Sequence, residues 1–103
     1  MALIGVYNPS SGGSGDTLGS EVEDFVQDEE FSSGLELVLS PPGGSTILTG
    51  TLIINYNEKL LVRGASYDYT FDGVDTITIL FGDDPTQYAN GEVIFQVSYA
   101  YTT

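Results

Sequence analysis

The sequence predicts an all-β protein: a small antiparallel β-sandwich or partial barrel preceded by an extended N-terminal arm. Three observations lead there. After Leu35 apolar and polar residues alternate with period two, the apolar positions hold mostly β-branched and aromatic types, and turn residues recur every ~8–12 residues. Composition breaks near Ser33-Gly34, which sets an arm over residues 1–33 against a β domain over residues 34–103. At 103 residues the chain holds one domain at most.

The arm opens with Ala2-Leu3-Ile4-Gly5-Val6-Tyr7, a short apolar patch. It reads either as a strand on its own domain or as a segment that adds a strand to a neighbouring subunit. Asn8 to Asp16 is rich in Gly and Ser, has no side chain able to anchor a core and is expected to be flexible. Gly12-Gly13-Ser14-Gly15 lacks the lysine and the preceding strand of a phosphate loop, so it is a linker. Ser20 followed by Glu23 fits a capping box, and Val22, Phe25 and Val26 fall at i, i+3 and i+4, so a short helix is expected within Ser20–Phe31. Its acids suit a solvated face or a basic patch on a larger assembly.

In the β domain Leu35, Leu37 and Leu39 alternate along a first strand that Pro41-Pro42-Gly43-Gly44 ends. Thr46 to Tyr56 is strand-forming, with a break or bulge at Gly50. Asn57-Glu58 is a two-residue hairpin turn, since Asn tolerates positive φ, and Lys59 to Val62 returns beside it. Tyr67 to Phe71 is the next strand, Asp72-Gly73-Val74-Asp75 the next turn, and Ile77, Ile79 and Phe81 one face of the strand after that. Gly82 to Gly91 is a longer loop, and Val93, Phe95, Val97, Tyr99 and Tyr101 share a face of the final strand.

Composition narrows the chemistry. There is no Cys, hence no disulfide or thiolate metal site, and no His, the residue most used for acid–base work near neutral pH and for zinc. Fifteen acidic residues against two basic ones, Lys59 and Arg63, give a net charge of −13, which opposes nucleic acid and anionic lipid and favours a basic surface. No apolar run is long enough to cross a membrane as a helix, and the basic-then-apolar layout of a secretory signal is absent, so cytoplasmic synthesis is expected. Asp72, Asp75, Asp83 and Asp84 sit on turns without the spacing of a calcium loop, and read as turn chemistry. Tyr67, Tyr69, Tyr99 and Tyr101 alternate along strands, which suits packing better than a glycan platform. No nucleophile has an evident base, so neither enzyme activity nor a cofactor is expected.

Several strands carry apolar residues on both faces: Val38 beside Leu37 and Leu39, Ile53 beside Leu52 and Ile54, Leu80 beside Ile79 and Phe81. A core of about 70 residues is small, so part of the second face is expected to lie against another chain, in a homo-oligomer or a larger assembly.

Tyr56-Asn57-Glu58, Arg63-Gly64, Asp68-Tyr69-Thr70, Thr76-Ile77-Thr78-Ile79, Gly91-Glu92-Val93-Ile94 and Tyr99-Ala100-Tyr101 follow one another in an order that resembles a β-rich module of tailed-bacteriophage virion proteins, of tail-fibre or capsid-decoration type. The resemblance covers about half the chain, from Leu52 to Tyr101. It implies a structural protein of the virion, assembled in the host cytoplasm. Because the module stands alone behind an arm, it implies a decoration or cement protein that bridges coat subunits, with the major capsid protein, or tail or neck proteins, as partners. Leu3, Ile4, Val6, Tyr7, Phe25 and Phe31 are the apolar arm residues expected to touch that partner. The alternatives are a small tail-fibre, head-fibre or neck adaptor protein, or a carbohydrate- or cell-surface-binding module.

Overall fold

The computed structural model describes residues 18–87 and 93–103, which fold as two antiparallel sheets packed face to face. Eight strands follow in order: β1 (Leu18–Gln27), β2 (Glu36–Val38), β3 (Thr46–Ile47), β4 (Ile53–Tyr56), β5 (Lys59–Leu60), β6 (Tyr69–Phe71), β7 (Thr76–Ile79) and β8 (Val93–Thr102). The larger sheet runs β1-β8-β4-β5 with β3 also on β8, and the smaller runs β2-β7-β6, so the sandwich is open rather than a closed barrel.

The final strand organises the larger sheet. β8 pairs with β1 along its whole length, from Leu18↔Thr102 to Gln27↔Val93, and on its other side with β4 and then β3. Thr46 to Tyr56 is one strand interrupted where expected: a 3₁₀ turn over Thr49–Thr51 lifts Gly50 off the ladder, and Thr51 Oγ1 accepts the Ala100 N–H at 2.8 Å in compensation. Asn57 and Glu58 both have positive φ, 49° and 71°, the backbone of a type I′ hairpin turn.

The expected helix within Ser20–Phe31 is a strand. Exposure alternates at every residue of β1, so Val22 and Val26 face outward while Phe25 faces the core opposite Phe95. The i, i+3, i+4 spacing that suggested a helix is also met by two valines on one strand face and an aromatic on the other. The ten-residue ladder to β8 decides between them, satisfying backbone groups that a short isolated helix would leave to water. Glu23 likewise caps no helix: its carboxylate accepts the Ser40 N–H, at 2.9 Å to Oε2, and the Tyr99 O–H.

Leu37, Leu39, Ile47, Ile54, Ile77, Ile79, Val93, Phe95 and Val97 form the middle of the core. One end is aromatic. Phe31 lies edge-on to Tyr56 with centroids 5.9 Å apart, and 5.8 Å from Phe95, while Tyr56 and Phe95 approach to 4.5 Å. The backbone beneath is closed by reciprocal bonds, Phe31 N–H to Asp83 O at 2.9 Å and Asp83 N–H to Phe31 O at 3.0 Å. Gly82 permits this approach, since a Cβ there would stand 2.7 Å from the Phe31 carbonyl oxygen. The domain boundary at residue 33 therefore moves: β1 and Phe31, placed in the arm by composition, belong to the folded body.

Candidate interaction surface

The outward side chains differ between the sheets. On the smaller sheet, Glu36, Thr78 and Thr70 lie in one polar row across the three strands, and exposed Val38, beside Thr76 in the next row, is the single apolar side chain that these two rows turn outward. On the larger sheet the register brings together Val22, Ser98 and Ile53 in one row, Asp24, Gln96, Asn55 and Leu60 in the next, and Val26 with Ile94 in a third. Val22, Val26 and Leu60 are each about 60% exposed and Ile53 50%, so apolar side chains from four strands face solvent on one surface. Such clustering on a small body marks a contact site more often than scattered apolar exposure does. Ile53 was legible as a second-face residue from sequence; Val22 and Val26 were missed because they were assigned to a helix, although Val22-x-Asp24-x-Val26 is period two.

The edge of this surface is β1. It has β8 on one side and no strand on the other among the described residues. Tyr101 lies over Gly19 opposite it, close enough that a Cβ on Gly19 would meet the ring, so the aromatic side chain covers the bare backbone there. Its inner face is tied down at Glu23, whose carboxylate is shared by Ser40 and Tyr99. Burial, and then the hydrogen bond to Glu23 and the negative charges of Glu23 and Glu21, push the Tyr99 hydroxyl above the usual tyrosine range.

The residues expected to meet a partner divide three ways. Leu3, Ile4, Val6 and Tyr7 lie outside the described residues. Phe25 is half-buried and packs on the protein's own core. Phe31 is 8% exposed at the centre of the aromatic cluster, which overturns its assignment to a partner: its ring is already enclosed by Tyr56, Phe81 and Phe95.

Turn chemistry accounts for the carboxylates singled out in the sequence. Asp72 Oδ1 accepts the N–H groups of Val74, Asp75 and Thr76 at 2.8–3.1 Å, and these bonds, that of Thr76 first, hold its carboxyl below the usual aspartate range. Asp84 Oδ1 accepts the Thr86 N–H at 3.1 Å, and Asp83 Oδ2 accepts the Tyr56 hydroxyl at 2.8 Å. Beside the latter pair a cleft of about 380 Å³ is lined by Tyr56, Asn57, Lys59, Asp68, Phe81, Gly82 and Asp83. Its rings offer little face to a ligand, since Tyr56 is buried and Phe81 half-buried. No family model, curated protein or solved structure matches the chain.

Proposed function

We infer that this protein is a structural component of a phage particle, a capsid decoration or cement protein that attaches to coat subunits and bridges them. The observation that carries the attachment is the outer surface of the larger sheet, where Val22, Val26, Ile53, Leu60 and Ile94 cluster on a chain of net charge −13. Apolar side chains supply non-directional affinity, while the surrounding acids select a basic partner surface and speed encounter with it. The virion context comes from the order of residues between Leu52 and Tyr101 that resembles virion modules. Leu3, Ile4, Val6 and Tyr7 would join neighbouring molecules, and ordering them on attachment would cost entropy that their burial offsets.

Counting copies in purified particles by quantitative mass spectrometry tests the assignment. Hundreds of copies, lost together with the V22D/V26D variant, are expected for a shell protein. A handful would make it a tail-fibre, head-fibre or neck adaptor protein, and absence from particles would refute a virion role. A second reading, a carbohydrate-binding module, rests on the polar lining of the cleft beside Tyr56 (Asn57, Lys59, Asp68 and Asp83) and not on its rings, and glycan binding by the isolated chain that is lost with Lys59→Ala would favour it over attachment.

A further inference from the structure

Among the described residues, the outer edge of β1 has no strand beside it. In an antiparallel ladder every second residue turns its N–H and C=O away from its neighbour, and on an edge strand those groups remain available. Edges in stable monomers are commonly blunted by Pro, a bulge, shortness or charged side chains. β1 has only the last of these, in Glu21, Glu23 and Asp24: its register with β8 is unbroken over ten residues, and its sequence LGSEVEDFVQ contains no Pro.

Charge decides what can fill it. Two β1 strands meeting about a two-fold axis in full overlap would set Glu21 opposite Asp24, and a shift of one residue either way sets Glu21 opposite Glu23 or Glu23 opposite itself. Like charges directly across a ladder are destabilising, so β1 is a poor partner for β1. Residues 1–15 hold no Asp, Glu, Lys or Arg, and within them Ala2–Tyr7 carries Leu3, Ile4, Val6 and Tyr7, a strand-forming composition. The ten residues Asn8 to Thr17 join that segment to β1 and reach about 33 Å when extended, ample to cross to another molecule.

We propose that Ala2–Tyr7 of a second copy of this chain adds as a strand to the β1 edge, and that the exchange is reciprocal. This deepens the reading above by naming what the arm joins, and rests on it only for the arm's being a contact segment. A segment folding back on its own β1 would leave Val22, Val26, Ile94, Ile53 and Leu60 in water. Reciprocal exchange instead holds a second body within linker reach of the same apolar rows, which a return to its own edge does not.

The test uses the isolated full chain, away from any particle, so its outcome is separable from that of particle binding. Sedimentation should give a dimer, and hydrogen exchange should show alternate β1 amides slowed at least tenfold relative to a variant lacking residues 1–7. Ile4→Asp, which keeps chain length, should match the truncation in both measurements, and a synthetic peptide of residues 1–7 should restore slow exchange to the truncated protein. Slow β1 exchange in a concentration-independent monomer would assign the edge to the chain's own arm and overturn the proposal. Equal exchange with and without residues 1–7 would overturn it as well.

Discussion

At the Phe31 end of the sandwich, rings meet rings and residues 31 and 83 are joined through both of their backbone groups; along β1, a backbone of ten residues is bonded on one side only among the described residues. Both regions lie in or beside the segment that composition marks as an arm, and both are apolar with acids nearby. The difference lies in whether the opposing surface is within the same molecule. Phe31 finds its complement 52 residues downstream, at Asp83 and the rings around it, and is spent on stability. Val22 and Val26 are left about 60% exposed by the described residues, and association is the use proposed for them.

Phe31→Ala should sharpen this contrast most. Truncating a buried ring in a close-packed cluster costs about 3–5 kcal/mol, so urea unfolding should show a marginal or unfolded protein. Unchanged stability would mean that Phe31 is a surface residue after all. Gly82→Ala should cost about 1–3 kcal/mol, because the new methyl group drives into the Phe31 carbonyl and one of the two backbone bonds must lengthen.

Glu23 tests how firmly β1 is held. Glu23→Ala should lose about 0.5–1.5 kcal/mol by removing the acceptor shared by the part-buried Tyr99 hydroxyl and the Ser40 N–H. Tyr99 has a raised value in the folded state, so its contribution is complete below the ordinary tyrosine value of about 10 and disappears as pH rises through the higher folded value. Thermal melts from pH 8 to 12 should therefore fall in the alkaline range, and Tyr99→Phe should flatten that fall. At the hairpin, Glu58→Gly should stabilise by roughly 0.5–1 kcal/mol, since Glu58 holds a φ of 71° that glycine adopts without steric strain. The smallest change in stability is expected for Val22→Thr with Val26→Thr, within about 0.5 kcal/mol of the parent. Retention of full particle binding by that variant would remove the outer rows from the contact.

Most of the sheet architecture was legible because its strands announce themselves through local alternation. Val93, Phe95, Val97 and Tyr99 share one face in sequence and in structure, and Ile77 and Ile79 do the same on β7. The Asn57-Glu58 turn and the break at Gly50 were legible from single-residue backbone preferences. What failed was non-local. β1 is a strand because β8, about 70 residues later, offers a matching ladder, and no window around Val22 contains that information. Phe31 looked like an arm residue because its flanks, Glu29-Glu30 and Ser32-Ser33, have the composition of a linker. The candidate surface was half visible, in Ile53, whereas Val38 and Leu80, which showed the same two-faced pattern, lie on or beside the smaller sheet; its other half was hidden with β1.

The pairing of β1 with β8 also sets a timetable for biosynthesis. A strand whose neighbour among the described residues is the last strand of the sheet lacks that partner on the ribosome until it emerges, and non-local closure of this kind slows folding. During that interval the nascent chain carries Glu21, Glu23, Asp24 and the acids that follow Gln27, whose mutual repulsion keeps neighbouring nascent strands from sticking to one another. The same acidity that gives the folded body its negative surface thus serves first as protection against premature aggregation.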